Sequence, residues 1–399
     1  MTLTTPLRSG VFLAPYHSDD ESPTLQIRRD LDDAQLLDEL GFDELWVGEH
    51  HSASFETIAS PEIFIAAAAE RTRRIRLGTG VVTLPYHNPL MVADRITQLD
   101  HQTQGRVMFG VGPGQLPSDA TMLGIDVSRL RGMMNESLEV IIPLLRGETV
   151  THKTDWFELC EARCQLASFS HPIIEMAVAA AVSPSGPRAA GTHGIGLLSM
   201  AATSDQGFDM LPAHWDVCEQ LAKQHDQSVD RQNWRLAIPM HIAESREQAH
   251  ADMAHGLLKL VRYFEKLGTE GMASIRTVDA AIEQWTQRGI TLLGRAVIGT
   301  PDDAIERIQA LQKQSGGFGT IMLLAHDCAS PQRTRQSYEL FANSVMPALR
   351  GANRNRIESL EWFSRNSKRI IGDLREAIGT TIAEHETERR EQGEGVAWG

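Results

Sequence analysis

The sequence has few cysteines, a deficit of basic residues and no long apolar run. Four cysteines among 399 residues are too few for a disulfide framework, so we expect free thiols in a reducing compartment. Lys and Arg number 38 against 52 Asp and Glu, and the net charge of −14 argues against nucleic acid or anionic membranes as partners. No stretch reaches the roughly 18 apolar residues of a spanning helix, and residues 1–10 lack a signal-peptide core. We therefore expect a cytoplasmic protein.

Two catalytic motifs are also missing. The run Glu49-His50-His51 does not form the His-Glu-x-x-His pattern of metalloproteases, and no third ligand is apparent, so we expect no metal. The glycine-rich run at residues 110–114 does not complete G-x-G-x-x-G, because Gln115 occupies the position of the last glycine. The chain therefore has no dinucleotide fingerprint of its own.

Strand-like and helix-like segments alternate along the chain. The strand-like segments are residues 9–14, 42–47, 75–84, 106–111, 173–178, 195–199, 234–242 and 320–324. Eight such segments, each followed by a helical pattern, predict an α/β fold in the form of a closed TIM (β/α)8 barrel, with an open doubly wound sheet as the alternative.

The barrel is expected to occupy residues 1–350 and to carry two insertions. Residues 149–168 break the alternation and are interpreted as a small hairpin. Residues 268–299 have no clear periodicity, and a long irregular segment of this kind is either a lid or a mobile surface excursion. Residues 351–399 are expected to form a helical extension that ends in a glycine-rich tail.

A cluster of titratable residues follows the second predicted strand. In a parallel barrel the chemistry lies at the carboxyl ends of the strands, which is where Glu49, His50 and His51 fall. Because imidazole titrates near neutrality, these residues are candidates for acid–base catalysis. Structural packing of one or both histidines is the alternative.

Three further segments could contact a ligand. Glycines at residues 78–81 and 110–114 allow a planar ligand close to the backbone, although a bulge or a turn explains them equally well. Residues 183–188 (SPSGPR) begin a predicted helix, whose free N–H groups suit a phosphate, together with the hydroxyls of Ser183 and Ser185 and the cation Arg188. An ordinary helix cap is the alternative.

Apolar residues on or near the strands are candidates for a hydrophobic substrate pocket. They are Phe12, Trp46, Phe55 and Met108. Burial in the barrel core is the commoner fate of such side chains and remains the alternative.

Three segments together resemble the bacterial luciferase-like family of flavin-dependent monooxygenases. They are LGFDELWVGEHHS (40–52), the run from RTRRIRLGTGVVTLPYHNP to GRVMFGVGPG (71–114) and SPSGPRAAGTHGIGLLS (183–199). The resemblance extends over about residues 8–350, and GVGPGQLPSDATMLGID (110–126) narrows it to a limonene monooxygenase-like branch.

The resemblance implies a barrel that binds FMN at its mouth. His50 matches the family's catalytic histidine, and Glu49 or His51 would orient it. Gly80 and Val81 would lie beneath the isoalloxazine ring, joined by a cis peptide bond. Gly112 takes the position of a reactive cysteine in bacterial luciferase. The residues implied in phosphate binding are Val182, Ser183, Ser185, Gly186 and Arg188, because Pro113 replaces a polar or basic residue.

The resemblance also implies an activity. A separate NAD(P)H-dependent flavin reductase would supply FMNH2, and a flavin C4a-hydroperoxide formed with O2 would oxygenate a small apolar substrate of the terpene, ketone or aldehyde type. Hydroxylation, epoxidation and Baeyer–Villiger insertion stay open, as do two alternatives, an F420-dependent oxidoreductase and a flavin-binding subunit without catalysis. A homodimer is expected, and the departures at Phe55 and Cys328 would reshape the pocket.

Overall fold

A computed structural model describes residues 6–393 of the chain. It divides into two compact units, Met1–Leu349 and Arg350–Gly399. The strands of the first unit are β1 Arg8–Tyr16, β2 Glu44–Val47, β3 Arg76–Thr79, β4 Val82–Thr83, β5 Val107–Gly112, β6 Val150–Lys153, β7 Glu158–Ala162, β8 Met176–Ala180, β9 Gly196–Ser199, β10 Trp234–Ile242, β11 Val297–Gly299 and β12 Thr320–His326.

Eight of these strands form a closed parallel barrel. Their order is β1-β2-β3-β5-β8-β9-β10-β12, and β12 pairs with both β10 and β1. The pairing of the last strand with the first closes the sheet, so the predicted TIM barrel is confirmed and the open sheet is excluded.

Helices follow the barrel strands and cover the outside of the barrel. They are α1 Pro23–Leu40, α2 Pro61–Arg71, α3 Pro89–Thr103, α4 Pro117–Met122, α5 Leu130–Leu145, α6 Ser185–His193, α7 Asp205–Gln224, α8 Arg246–Asp252, α9 Leu257–Lys266, α10 Val278–Glu283, α11 Pro301–Ser315, α12 Pro331–Leu340 and α13 Met346–Arg350. Several begin on a proline, which suits the first helical turn because its missing N–H has no partner there in any case.

The two segments expected as insertions differ in structure. Residues 149–168 contain the antiparallel two-stranded sheet of β6 and β7, which stands outside the barrel. Residues 268–299 contain α10 and β11, and β11 pairs in parallel with the carboxyl end of β10. The second segment is therefore joined to the mouth of the barrel.

Two predicted elements are interrupted in the structure. The apolar pattern of residues 245–267 predicts one helix, but α8 and α9 are separate, and a Cβ at Gly256 between them would lie 2.0 Å from the carbonyl oxygen of Asp327. The strand expected over residues 75–84 is divided into β3 and β4 around the bond between Gly80 and Val81, which is cis. Both interruptions bring backbone close to the barrel mouth.

The lower interior of the barrel is filled by Trp46 and a buried ion pair. The Trp46 ring lies against Gly78 and Gly110, where an added Cβ would come within 2.5 and 2.8 Å of it. The Arg235 guanidinium lies 4.8 Å from the ring centroid and donates to the Glu44 carboxylate at 2.8 Å. Two of the glycines considered for ligand contact therefore make room for a core tryptophan.

The described part of the second unit consists mainly of one helix, α14 Arg354–Glu391. This helix has 38 residues, none of which is buried. The helical extension was predicted, whereas most of the predicted glycine-rich tail, residues 394–399, lies outside the described residues. No helix within residues 6–393 is long and apolar enough to cross a membrane.

Candidate active site

A cavity of about 410 Å³ opens at the carboxyl ends of the barrel strands. This volume lies in the range of small-molecule sites. Its wall includes residues from β1, from the turn after β2, from the Gly80–Val81 bond and from the loop after β8, together with the end of α9. The cavity therefore collects side chains from many separate strand ends, as active sites of such barrels do.

His50 lies in the cavity wall between two carboxylates. Its Nδ1 is 3.2 Å from Oδ2 of Asp119, and its Nε2 is 3.3 Å from Oε2 of Glu56. Asp119 is 2% exposed and also accepts from the His51 backbone N–H and the Ser52 hydroxyl. Both ring nitrogens of His50 thus have an acidic partner, which suits a residue that takes up and releases protons.

Glu56 and two tyrosines form the polar part of the wall beside His50. Burial and the nearby Asp119 carboxylate raise the pKa of Glu56, while His50 opposes the shift. Burial and the Glu56 carboxylate also raise the pKa of the Tyr16 and Tyr263 phenols, so both keep their O–H at neutral pH. The cavity thus holds hydroxyl donors near its histidine.

Glu49 lines the cavity but contacts other histidines than His50. Its carboxylate accepts from His87 Nε2 at 2.7 Å, from His51 Nε2 at 3.1 Å and from the Thr83 backbone N–H. Burial alone would raise the pKa of Glu49, but these donors lower it to about 2, and the Glu49 carboxylate raises the pKa of His51. Glu49 is therefore a fixed anion.

The expectation that Glu49 or His51 orients His50 is corrected by this geometry. Glu49 bonds to His51 and His87, and the His51 side chain is not part of the cavity wall. The side chains that contact the His50 ring are Asp119 and Glu56, which the sequence analysis did not single out.

The Gly80–Val81 peptide and Gly112 form a closely packed part of the wall. The expected cis bond between Gly80 and Val81 is present, and all three residues line the cavity. A Cβ at Gly80 would lie 2.7 Å from the Phe12 ring, and one at Gly112 would lie 2.7 Å from Val81 Cγ2. Only glycine fits at these two positions without displacing a neighbour.

The loop expected to hold a phosphate contributes two hydroxyls to the cavity. Ser183 and Ser185 line it, with their Oγ atoms 2.8 Å apart. The Val182 carbonyl instead accepts from His214, and a Cβ at Gly186 would lie 2.5 Å from the Ala179 carbonyl oxygen, so this glycine serves the packing of α6 on β8.

The cation at the cavity is Arg131 and not Arg188. Both side chains are exposed, but Arg188 on α6 does not line the cavity, whereas Arg131 lies in its wall from the first turn of α5. Among the described residues 6–393, Arg131 forms no ion pair that would neutralise it. The placement expected for Arg188 is therefore corrected in favour of Arg131.

Only Phe12 of the four expected pocket residues lines the cavity. Trp46 and Met108 are fully buried in the barrel interior, where they pack with Phe12 below the cavity. Phe55 stacks on Tyr263, with ring centroids 4.2 Å apart, and belongs to a separate core cluster that also contains Cys328. The core alternative thus applies to Trp46 and Met108, while Phe55 and Cys328 support the wall from behind.

The barrel and its mouth define the class of protein, an α/β-barrel enzyme with its site at the carboxyl ends of the strands. The profile of the luciferase-like monooxygenase family matches residues 7–317. The chain therefore belongs to the luciferase-like monooxygenase family.

Two relatives show which branch of the family the chain is similar to. Limonene 1,2-monooxygenase of Rhodococcus erythropolis is 46% identical over 96% of each chain, which includes most of the helical extension. The 4-hydroxyprotoasukamycin monooxygenase of Streptomyces nodosus subsp. asukaensis is 44% identical over 90% of this chain and 96% of its own. The expected enzyme class, a flavin-dependent monooxygenase of the limonene monooxygenase-like branch, is thereby confirmed.

A solved structure shows the same barrel with a bound cofactor. The oxygenating constituent of 3,6-diketocamphane monooxygenase from Pseudomonas putida, a type II Baeyer–Villiger monooxygenase in complex with FMN, superposes with a TM-score of 0.71 at 26% identity. The match covers 86% of this chain and 98% of that chain.

Proposed function

We propose that this protein is the oxygenase component of a two-component system that uses reduced FMN and O2 to oxygenate a small apolar substrate. The observation that carries the proposal is His50, which is held between Asp119 and Glu56 in the wall of a cavity that Gly80, Val81 and Gly112 also line. Relatives named for a terpene and for cyclic ketones favour a substrate of the terpene, ketone or aldehyde type.

The residues of the cavity fit FMN. Gly80 and Gly112 have no side chain, and with the small apolar Val81 they offer a closely packed wall to a flat ring. Ser183, Ser185 and Arg131 offer two hydroxyls and a cation to a phosphate. Reduced FMN, when bound, supplies the two electrons and two protons with which O2 gives one oxygen atom to the substrate and one molecule of water.

His50 is the residue to which we assign proton transfer at this site. Its Nε2 faces Glu56, a carboxyl whose pKa is raised by burial, and its Nδ1 is held by Asp119. A histidine fixed in this way can take up a proton at one nitrogen while the other keeps its orientation. Asp119 acts through His50 and is a positioning residue.

The remaining wall excludes water. Tyr263 and Phe264 of α9, Leu267 directly after it and Leu293 of the segment 268–299 line the cavity together with Phe12. We propose that residues 268–299 serve as the lid, because Thr291 and Leu293 already line the cavity and a dry site protects an oxygenation from hydrolysis.

The partners follow from the same chemistry. The sequence has no dinucleotide fingerprint, so a separate NAD(P)H-dependent flavin reductase would supply the reduced FMN. We place both proteins in the cytoplasm and propose that this chain forms a homodimer.

Product analysis tests the proposed function. The protein is incubated with a flavin reductase, FMN, NADH, 18O2 and a panel of terpenes, ketones and aldehydes, and products are analysed by mass spectrometry. We expect one 18O atom in the product of at least one substrate and none from His50→Ala above background. Hydride transfer with F420 in place of FMN, without O2 consumption, would overturn the proposal, as would a complete lack of turnover with tight FMN binding.

A further inference from the structure

The helix α14 carries an apolar face that is exposed along its whole length. The face is formed by Ile357, Leu360, Phe363, Ile371, Leu374, Ile378 and Ile382, which are between 41% and 70% exposed. They recur at intervals of three and four residues with one gap, so they lie on one side of the helix. A helix of 38 residues is about 57 Å long, and an apolar stripe of this length marks an interaction surface.

The two halves of α14 have opposite charge. Residues 354–369 contain five basic and two acidic residues, whereas residues 370–391 contain three basic and six acidic ones. Two copies of the helix placed in parallel would set like charges side by side. Two antiparallel copies place the basic half of each against the acidic half of the other, which is the complementarity that a two-fold interface requires.

The side chains also match in size when two copies run antiparallel. A two-fold axis near Arg369 places Leu360 opposite Ile378 of the second copy, and it places the small Ser364 and Ser367 opposite Leu374 and Ile371. These are the pairs that antiparallel heptad packing brings together, and small residues facing large ones allow the helices to pack closely. In the same register Glu361 and Arg375 flank the stripe on one side and approach each other across the interface.

We infer that α14 pairs antiparallel with α14 of a second copy of this chain. The interface is made by the apolar stripe, and its direction is set by the opposite charges of the two halves. The pairing is independent of the cavity and of the function proposed for it, and it gives the helical extension a role in assembly.

Disulfide trapping in the full chain tests the pairing and its direction. In a background with Cys160→Ser, which removes the exposed natural cysteine, Leu360→Cys and Ile378→Cys are placed on two differently tagged copies and co-expressed. Because the antiparallel register sets these positions opposite each other, we expect a disulfide between the two tags under mild oxidation. Each variant expressed alone should stay mostly unlinked.

Two outcomes would overturn the inference. Self-linked dimers of Leu360→Cys expressed alone would show a parallel pair, and the absence of any link between the two tags would show that the stripe is covered by something else, such as its own barrel. A variant that failed to fold would be recognised by circular dichroism, and Ser367→Cys with Ile371→Cys supplies a second pair in the same register.

Charge exchange and a control on the opposite face complete the test. Leu374→Glu should lower the apparent mass in sedimentation velocity, whereas Trp362→Glu, equally apolar and 53% exposed on the other side of the helix, should not. Glu361→Arg and Arg375→Glu should each weaken the association by about threefold or more, and the double variant should restore it. Equal effects of Leu374→Glu and Trp362→Glu would contradict the inference.

Discussion

Oδ2 of Asp119 lies 3.2 Å from Nδ1 of His50, although 69 residues separate the two in the sequence. The Asp119 carboxylate is held by the His51 backbone N–H at 3.3 Å and by the Ser52 hydroxyl. A buried carboxylate on Nδ1 fixes the orientation and the tautomer of the ring, so that Nε2 is presented to Glu56 and the cavity. Asp119 therefore sets the orientation of the His50 ring and the nitrogen that faces the cavity.

Asp119→Asn removes the charge on Nδ1 of His50 while it keeps the size of the side chain. We expect kcat for oxygenation to fall on the order of 10-fold with KM about unchanged, because an amide holds the imidazolium less well than a carboxylate. The measurement is product formation with reductase-supplied FMNH2. Asp216→Asn, an exposed change on α7, is the control, and a loss confined to KM would show that Asp119 has no role in positioning His50.

The adjacent histidines provide a matched pair of variants. His50 lines the cavity, whereas His51 does not and instead bonds to the Glu49 carboxylate. We expect His50→Ala to lower coupled product formation by about 10² or more, the usual range for the loss of an acid–base residue. His51→Ala should cost less than about 10-fold. The ratio of product formed to NADH consumed separates lost catalysis from uncoupling, and equal losses in the two variants would be incompatible with the assignment.

The fold was largely predictable from the sequence, because each barrel strand and its helix leave a local pattern. The strand predicted over residues 234–242 has the same bounds in the structure, and the helical spacing of Leu31, Ala34, Leu37 and Leu40 before Gly41 likewise indicates the helix that ends at Leu40. The site was predictable where a residue follows a strand directly, as His50 does. Glu56, Asp119 and Arg131 come from loops and a helix start, and their approach to one cavity depends on tertiary contacts that no local pattern records.

The misplaced residues have a common physical reason. Trp46 and Met108 lie on strands whose alternate side chains point into the barrel, and sequence alone does not show how high in the barrel each one lies. The position of the Trp46 ring below the cavity depends on Gly78 and Gly110, which leave room for it. Two of the glycines that were candidates for ligand contact, Gly78 and Gly110, are therefore required by the packing of the core.

His17 is predicted to make stability depend on pH above neutrality. It is 4% exposed and lies 2.9 Å from Asp30 and 2.6 Å from Asp327. Burial alone would lower the pKa of His17, but these two carboxylates raise it to about 9. Because the folded pKa exceeds the unfolded value of about 6.5, the stabilisation is fully present below pH 6.5 and is lost as pH rises through 9.

The free energy of unfolding should therefore fall by about 3 kcal/mol between pH 6.5 and 9 through this group. Urea unfolding at a series of pH values measures it. His17→Gln should remove most of the dependence in this window, while His225→Gln, an exposed change after α7, should leave it intact. Identical slopes in the wild type and His17→Gln would rule out the linkage.

Two glycines of β5 should respond differently to alanine. A Cβ at Gly110 would lie 1.9 Å from the Thr79 carbonyl oxygen, whereas one at Gly112 would meet the Val81 side chain at 2.7 Å. Because backbone yields less than a side chain, we expect Gly110→Ala to cost about 3 kcal/mol or more of stability and Gly112→Ala about 1 kcal/mol. Gly112→Ala should instead weaken FMN binding, since it moves Val81 in the cavity wall. Urea midpoints and flavin fluorescence measure the two effects, and the reverse order would contradict them.

Alanine variants of Arg131 and Arg188 test where the phosphate of FMN binds. Both are exposed, but Arg131 lines the cavity and Arg188 does not. Loss of a charge-assisted contact to a phosphate costs about 1.5–3 kcal/mol, so we expect Arg131→Ala to raise the Kd for FMN by about 10- to 100-fold and Arg188→Ala to leave it unchanged.

Riboflavin, which has the same ring and no phosphate, separates charge from shape in this comparison. If Arg131 acts on the phosphate, Arg131→Ala should bind riboflavin as well as the wild type does, and the difference between FMN and riboflavin should shrink by the same 10- to 100-fold. Quenching of flavin fluorescence under anaerobic conditions gives both constants. Equal loss of the two ligands would show that Arg131 shapes the cavity, and loss of FMN alone in Arg188→Ala would place the phosphate at the start of α6.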